Sequence, residues 1–222
     1  MLAAILFDLD GTLANTDPLH FRVWQEVLKD YGLDIDKRFY DTRISGRLNP
    51  LIIKDLLPHI SDLENQKLAD YKEAKFRELA SELKSLPGLN QVLAWTEECG
   101  LKRALVTNAP RKNVEFMLSI LNLTETFAPV VLAEEVAAPK PDPAPYKLAL
   151  KLLDILPEQA VAFEDSPSGI RSAVGAGILT IGIASTHEPQ TLQEAGALTV
   201  VPDFTAEVVW NLLRGNESIQ CD

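Results

Sequence analysis

Basic residues are in short supply in this sequence. Of its 222 residues, 21 are lysine or arginine and 32 are aspartate or glutamate, so the formal net charge is −11 at pH 7. Such a surface repels nucleic acids and anionic membranes, and we expect neither as a partner. An anionic small ligand would be repelled as well unless its site is locally positive. A basic residue near a candidate site is therefore stronger evidence of anion binding than it would be in a chain with balanced charge.

Cysteines and long apolar runs are also scarce. The two cysteines, Cys99 and Cys221, lie at the end of a helical pattern and next to the last residue, so they do not suggest a disulfide framework. A reducing cytoplasm is the simplest location for such a chain. Residues 1–7 are apolar but lack a basic leader and are followed at once by Asp8, so we expect neither a signal peptide nor a membrane span. The 46% hydrophobic content still predicts a large buried core.

The opening stretch is an apolar run that ends in paired carboxylates. Residues 3–7 are typical of a buried strand, and Asp8, Asp10 and Gly11 follow. In an extended chain both carboxylates project to one side, where charges about 4 Å apart repel by roughly 4 kcal/mol at an effective dielectric near 20. A divalent cation, a nearby basic side chain or a bound proton would offset this. All three suit phosphoryl transfer, although a solvated turn or a helix cap is the ordinary alternative.

The rest of the sequence predicts an α/β fold with an insertion. Residues 14–86 show helical spacing and no convincing strand, whereas helices alternate with apolar strands from residue 87 onward. This pattern predicts a doubly wound, parallel, Rossmann-like sheet (1–13 and 87–222) with an inserted α-helical cap domain (14–86). The strands expected after the first are 103–106, 129–132, 160–163, 179–183 and 198–201.

Polar residues follow three of these strands. Asp8, Thr107 and Asp165 stand at carboxyl ends, which meet at one edge of a parallel sheet and form its usual ligand site. We therefore expect these three segments to converge. The spacing alone does not say which of Asp8 and Asp10 would attack and which would transfer a proton.

Four segments of the chain resemble known motifs. Residues 8–12, Asp-Leu-Asp-Gly-Thr, resemble the first motif of the haloacid dehalogenase superfamily, in its phosphatase and phosphomutase branch. Later segments resemble the other motifs in the expected order: Thr107 with Asn108, Lys140 between two prolines, and Glu164 with Asp165. The resemblance covers nearly the whole chain.

The resemblance implies a role for each motif residue. It makes Asp8 the nucleophile and Asp10 the acid and base, for which Asp10 needs a raised pKa. Thr107 and an amide of Asn108 would hold phosphate oxygens. The ammonium of Lys140 would lie against the nucleophile and the phosphate.

The same resemblance implies a magnesium site. Mg²⁺ prefers oxygen ligands and commonly uses one or two carboxylates besides water and substrate phosphate. Asp8 and Asp165 are the expected side-chain ligands, and Glu164 is a weaker or water-mediated one. Asp10 is expected to contribute its backbone carbonyl.

Four residues of the cap are candidates for substrate binding. The segment that holds Arg43, Gly46 and Arg47 resembles the specificity loop of β-phosphoglucomutase-like enzymes. A glycine there permits close approach of the backbone to a ligand. His20 is the fourth candidate, with helix packing as an equal alternative. The sequence departs from the mutase pattern at Asn49, where a mutase would carry an arginine for a second phosphate.

These features predict a Mg²⁺-dependent phosphatase. The expected substrate is a small phosphorylated metabolite, such as a sugar phosphate or phosphoglycolate, and the expected intermediate is an aspartyl phosphate. A β-phosphoglucomutase-type activity is the main alternative, and a phosphoaspartate receiver is disfavoured because receivers lack a large insertion after the first strand. We expect a cytoplasmic monomer or weak dimer. His59 and His187 are isolated in the sequence and are expected to be ordinary surface residues.

Overall fold

The computed structural model describes residues 1–215. Six strands form one parallel sheet within this range: β1 (Ala4–Phe7), β2 (Lys102–Thr107), β3 (Val130–Leu132), β4 (Ala160–Glu164), β5 (Leu179–Ile183) and β6 (Thr199–Val201). Their order across the sheet is β3-β2-β1-β4-β5-β6. The chain thus winds outward from β1 in both directions, which confirms the predicted doubly wound Rossmann-like sheet.

Ten α-helices accompany the sheet in the described part of the chain. They are α1 (Asp17–Lys29), α2 (Lys37–Arg43), α3 (Asn49–Leu56), α4 (Asp62–Leu79), α5 (Leu89–Glu98), α6 (Arg111–Ile120), α7 (Ala144–Leu153), α8 (Pro167–Gly175), α9 (Pro189–Glu194) and α10 (Glu207–Arg214). Helix α4 passes into a 3₁₀ turn at Ala80–Glu82. Two further 3₁₀ turns lie at Ala133–Glu135 and Pro157–Gln159.

The chain forms two compact units. Within the described residues, the α/β unit comprises Met1–Asn15 and residues 84–215, and the helical unit comprises Thr16–Leu83. Within the α/β unit, Ala14 makes an antiparallel bridge with Ser85. The two connecting segments therefore pair with each other. For this reason the first segment of the α/β unit ends at residue 15 rather than at the expected residue 13. Its second segment begins at residue 84 rather than at the expected residue 87.

The sheet is buried because its strands are apolar on both faces. All four residues of β1 are inaccessible to solvent. On one face, Ala4 and Leu6 pack with residues of β2, β4, α7 and α8 in a continuous apolar cluster. On the other, the Phe7 ring stacks on Phe163, with centroids 5.6 Å apart, and Phe204 packs edge-on against Phe163. This two-sided burial fixes the carboxyl ends of β1 and β4 in place.

The structure bears on two expectations drawn from the sequence, one about membrane spans and one about the cysteines. No helix in residues 1–215 is long and apolar enough to cross a membrane. The expectation about the cysteines falls partly on Cys221, which lies outside the described residues. Cys99 follows α5 and is not a free thiol, although the two cysteines did not suggest a disulfide framework in the sequence.

Candidate active site

The carboxylates at the centre of the sheet lie where the strand order reverses. β1 is flanked by β2 on one side and by β4 on the other, with Phe7 opposite both Leu105 and Phe163. Asp8 directly follows β1, and Glu164 is the last residue of β4. Ligands of open α/β sheets bind in the crevice outside the carboxyl ends of the strands at this kind of position. The topology thus places acidic residues at the usual ligand site.

One lysine ties the ends of three strands together. The ammonium of Lys140 donates to Asp8 Oδ1 at 2.7 Å, to the carbonyl of Val106 at 2.7 Å and to Glu164 Oε1 at 2.5 Å. These three bonds use all three of its donors. The side chain of Lys140 is nearly fully buried, and the paired carboxylates raise its pKa above the ordinary value even though burial opposes this. Lys140 is therefore a permanent positive charge beside Asp8.

Three carboxylates surround that single ammonium. Asp8, Glu164 and Asp165 each offer one oxygen, and these oxygens all lie within 4.8 Å of one another. Burial raises the pKa of Asp8 to about 8, despite the lowering effect of Lys140, and the charge of Glu164 adds to the rise. Burial, together with the charges of Asp8 and Glu164, also raises the pKa of Asp165 well above its usual range. One ammonium does not balance the charge of three ionised carboxylates. A divalent cation would supply the missing positive charge.

Glu164 offers an unpaired oxygen to the same cluster. Its Oε1 accepts hydrogen bonds from Lys140 and from the hydroxyl of Tyr146 at 2.6 Å. Its Oε2 is buried and has no hydrogen-bond partner among the described residues. A buried carboxylate oxygen without a donor is costly, and a cation would remove that cost. The residues of this site therefore fit a divalent cation.

Tyr146 is a site residue that the sequence analysis missed. It lies on α7, six residues after Lys140, and is fully buried. Its hydroxyl donates a hydrogen bond to Glu164 Oε1, and its ring centroid lies 5.3 Å from the Lys140 ammonium. A tyrosine in an amphipathic helix normally reads as core packing, so the sequence offered no signal for this contact.

The second motif is tied to Lys140 by two hydrogen bonds. Asn108 donates from Nδ2 to the carbonyl of Lys140 at 3.2 Å and accepts at Oδ1 from the N–H of Lys140, also at 3.2 Å. Thr107 ends β2 and is buried, and its hydroxyl oxygen accepts from the N–H of Ala109 at 3.0 Å. The Asn108 side chain is therefore occupied, and its predicted phosphate contact would fall to the backbone N–H.

Asp10 and Gly11 form the turn after β1. Asp10 is half-buried, its charge contributes to the raised pKa of Asp8, and its side chain is not among the three clustered carboxylates. Gly11 has φ of +75°, and a Cβ there would lie 2.1 Å from Asp165 Oδ2. Only glycine satisfies both the conformation and the space, so the glycine of the first motif lets Asp165 approach.

A second glycine leaves room for Glu164. A Cβ on Gly169, in the first turn of α8, would lie 1.8 Å from Glu164 Oε2. Gly169→Ala must displace the Glu164 carboxylate, so we expect a loss of about 1–3 kcal/mol in the free energy of unfolding, measured by urea denaturation, together with weaker binding of divalent cations.

The matched control is Gly175→Ala in the same helix. A Cβ there would meet Pro143 at 3.4 Å, which is ordinary contact. Equal losses of stability in the two variants would contradict this account of Gly169.

The candidate His20 is packed inside the helical unit. Its ring stacks on Phe76 with centroids 4.1 Å apart, and its Nδ1 lies 2.7 Å from the ammonium of Lys72. Lys72 also donates to Glu73 at 2.9 Å, and both of these residues are buried. Burial opposes ionisation of Glu73, but the charges of Lys72 and His20 lower its pKa to about 2. Lys72 and Glu73 of α4 thus form a buried ion pair, and His20 of α1 packs against it.

The arginine candidates share one carboxylate. Arg43 and Arg47 each lie 3.1 Å from Asp55 Oδ2. Gly46 has φ of +72°, and nothing lies within 4 Å of the position of its missing Cβ. Asn49, where a mutase would carry arginine, donates to Glu73. Counted together with Asp55, the two arginines keep one net positive charge, and Gly46 is open, while Asn49 binds the buried ion pair.

Comparison with known proteins assigns the chain to a family. The profile described as haloacid dehalogenase-like hydrolase matches residues 5–183. A phosphorylated carbohydrates phosphatase of Thermotoga maritima is 34% identical over 218 residues, covering 96% of this chain and 99% of the relative. The chain therefore belongs to the haloacid dehalogenase-like hydrolases, and the resemblance seen in its motifs is confirmed.

Two further comparisons describe the branch. A beta-phosphoglucomutase of Bacillus subtilis is 27% identical over 233 residues, covering 98% of this chain and 100% of the relative. The crystal structure of CbbY from Rhodobacter sphaeroides in complex with phosphate is 32% identical, with a TM-score of 0.80, and covers 92% of this chain and 95% of that one. Phosphatases and a mutase are thus both among the relatives.

Proposed function

We propose that this protein is a Mg²⁺-dependent phosphatase that hydrolyses a small phosphorylated metabolite, of the sugar phosphate or phosphoglycolate class, through an aspartyl phosphate on Asp8. The observation that carries the proposal is the contact of Asp8 with Lys140 beside Glu164 and Asp165, at the switch point of the sheet. The relative named as a phosphorylated carbohydrates phosphatase supports the substrate class.

The proposed first step is attack of an Asp8 oxygen on phosphorus. The bond between phosphorus and the leaving oxygen breaks, and Asp10 gives its proton to that oxygen. Lys140, the Thr107 hydroxyl and the N–H of Asn108 hold the phosphoryl oxygens as charge develops on them. In the second step Asp10 takes a proton from water, the water oxygen attacks phosphorus, and the bond to Asp8 breaks to release phosphate.

Asp8, Asp165, the backbone carbonyl of Asp10 and Glu164 would hold the Mg²⁺. Mg²⁺ usually keeps several waters and takes one or two carboxylates besides a substrate phosphate, so Glu164 would complete the set directly or through water. When bound, the ion neutralises phosphoryl oxygens and makes phosphorus easier to attack. The unpaired Oε2 of Glu164 and the raised pKa values of Asp8 and Asp165 support this assignment.

The helical unit is proposed to act as the cap. Its role would be to exclude bulk water during attack on the substrate and to select the substrate. Arg43, Gly46, Arg47 and His20 are the residues proposed to contact the part of the substrate that does not react. A cytoplasmic location and a monomeric or weakly dimeric state also stay predictions.

A β-phosphoglucomutase-type activity is the second candidate, favoured by the relative of that name. This activity requires a bisphosphate intermediate to reorient within the site, and therefore strong binding of a second phosphate. Arg43 and Arg47 share Asp55, and Asn49 is taken up by Glu73, which lowers the charge available for that phosphate. We therefore favour hydrolysis.

The test is a screen of phosphorylated metabolites with Mg²⁺, in which released phosphate and isomerised sugar phosphate are both measured. We expect phosphate release from monophosphates without isomerisation. Isomerisation that outpaces release would favour the mutase. Absence of turnover on every monophosphate, with stable phosphorylation of the protein, would support a receiver.

Binding of Mg²⁺ is expected to strengthen with pH. Because Asp8 has a pKa of about 8 without metal, it carries a proton at lower pH, and the ion must displace that proton. The affinity should therefore rise from about pH 6 to pH 8, by up to about tenfold per unit, and level off above it. Titration calorimetry in two buffers of different ionisation enthalpy measures both the affinity and the proton release. An affinity that does not change over this range would contradict the assignment of Asp8.

A further inference from the structure

The loop after β5 reaches two of the strand ends that carry the site. The hydroxyl of Ser185 donates to the carbonyl of Gly11, at 2.5 Å. The hydroxyl of Thr186 is hydrogen-bonded to Asp165 Oδ2 and lies 3.0 Å from the Asp165 carbonyl. Residues 185 and 186 therefore brace the turn after β1 and the end of β4 at the same time.

The single proton of the Thr186 hydroxyl fixes the direction of these bonds. Its oxygen lies next to Asp165 Oδ2 and also 2.8 Å from His187 Nδ1. A carboxylate is a stronger acceptor than a neutral carbonyl or imidazole nitrogen, so the proton is directed to Oδ2. His187 Nδ1 must then carry a hydrogen and donate to Thr186. The result is a chain of two hydrogen bonds, from His187 to Thr186 and from Thr186 to Asp165.

These hydrogen bonds restrict the orientation of the Asp165 side chain. Its Oδ2 is held by Thr186 and is packed so closely against Gly11 that a Cβ there would lie 2.1 Å away. Its Oδ1 accepts no hydrogen bond from the residues that the structure describes. Asp165 is therefore held with Oδ2 engaged and Oδ1 free to bind a cation.

We propose that Thr186 and His187 are positioning residues for Asp165, which hold its carboxylate in the orientation that binds the divalent cation. Neither residue contacts the reacting atoms in this proposal. The inference rests on the proposed metal-dependent function, because it assigns the residues that prepare one ligand. Partners that orient metal ligands typically contribute a factor of ten to a hundred in affinity.

The experiment is titration calorimetry of Mg²⁺ into the purified full chain and four variants. Thr186→Val removes the hydroxyl at nearly constant shape, and Thr186→Ser keeps it as the matched control. His187→Leu removes the donor, whereas the side-chain amide of His187→Asn can replace the donor at Nδ1. We expect about 10- to 100-fold weaker Mg²⁺ binding for the valine and leucine variants. The serine and asparagine variants should stay within about threefold of the unmodified protein.

The kinetic readout separates positioning from a structural role. At saturating Mg²⁺, the valine and leucine variants should recover most of kcat, since the ion then compensates for the loss of preorganisation, while the Mg²⁺ concentration for half-maximal rate rises. A lower melting temperature with unchanged Mg²⁺ affinity in both Thr186→Val and His187→Leu would overturn the proposal. If Thr186→Val does not fold, the pair His187→Leu and His187→Asn decides alone.

The unmodified protein distinguishes the two levels of the proposal. If it binds Mg²⁺ and releases phosphate while the variants match it, only the roles of Thr186 and His187 are wrong. If it hydrolyses phosphate esters without any Mg²⁺ binding, the metal assignment falls, and the positioning role falls with it.

Discussion

Asp8→Asn should lose turnover by about a thousandfold or more, the scale of removing a covalent nucleophile. An amide does not attack phosphorus at a useful rate, so no aspartyl phosphate forms. The fold should persist, because the amide oxygen can still accept the hydrogen bond that Lys140 gives to Asp8. The measurement is steady-state phosphate release at saturating Mg²⁺, on the best substrate of the screen, with the melting temperature measured beside it.

Asp34→Asn is the control for this variant. It makes the same chemical change at an exposed position of the helical unit, and its activity should match that of the unmodified protein. Turnover by Asp8→Asn within tenfold of the unmodified protein would show that hydrolysis does not pass through this carboxylate.

Lys140→Met should cost about 3–5 kcal/mol in the free energy of unfolding near neutral pH, the usual loss when one partner of a buried ion pair is removed. The variant leaves Asp8 and Glu164 buried without the ammonium that now binds both. It should also abolish turnover, because the positive charge beside the phosphoryl group is gone. Urea denaturation at fixed pH measures the change in stability.

Two comparisons make the Lys140 prediction specific. Lys147→Met removes an exposed ammonium from α7 and should change stability by less than about 0.5 kcal/mol. Mg²⁺ should raise the melting temperature of Lys140→Met by more than that of the unmodified protein, since the ion supplies charge that the carboxylates then lack. An equal effect of Mg²⁺ on both proteins would count against a shared site for the ion and the lysine.

The sheet could be predicted from the sequence because its strands are apolar throughout. β5 has the bounds expected from the pattern, and the other strands differ by a residue or two. Helices α2 and α9 were not predicted individually, because with seven and six residues they are too short for a clear helical spacing of apolar residues. The sequence pattern of residues 14–86 is helical throughout and does not show that α4 ends at Leu79, where the chain tightens into the 3₁₀ turn.

The convergence of the motif residues could be predicted from the sequence, because these residues follow strands of a parallel sheet and the carboxyl ends of such strands lie at one edge. Their supporting residues could not. Tyr146 looks like helix core, and His187 was expected to be an ordinary surface residue, yet the first holds Glu164 and the second contacts Thr186. Thr186 lies 21 residues from Asp165, and only the crossover from β4 to β5 brings them together. Such contacts depend on the tertiary arrangement rather than on local spacing.

The central claim is that Asp8 accepts the phosphoryl group, and trapping the intermediate tests it most directly. Asp10→Asn should slow the second step, because no base then activates the water, and phosphorylated protein should accumulate with a substrate whose leaving group needs no protonation. Acid quenching, borohydride reduction and mass spectrometry of the peptides locate the modified residue. We predict modification at Asp8 that depends on Mg²⁺. Modification at another residue, or rapid turnover with no modified protein at any time, would contradict the account.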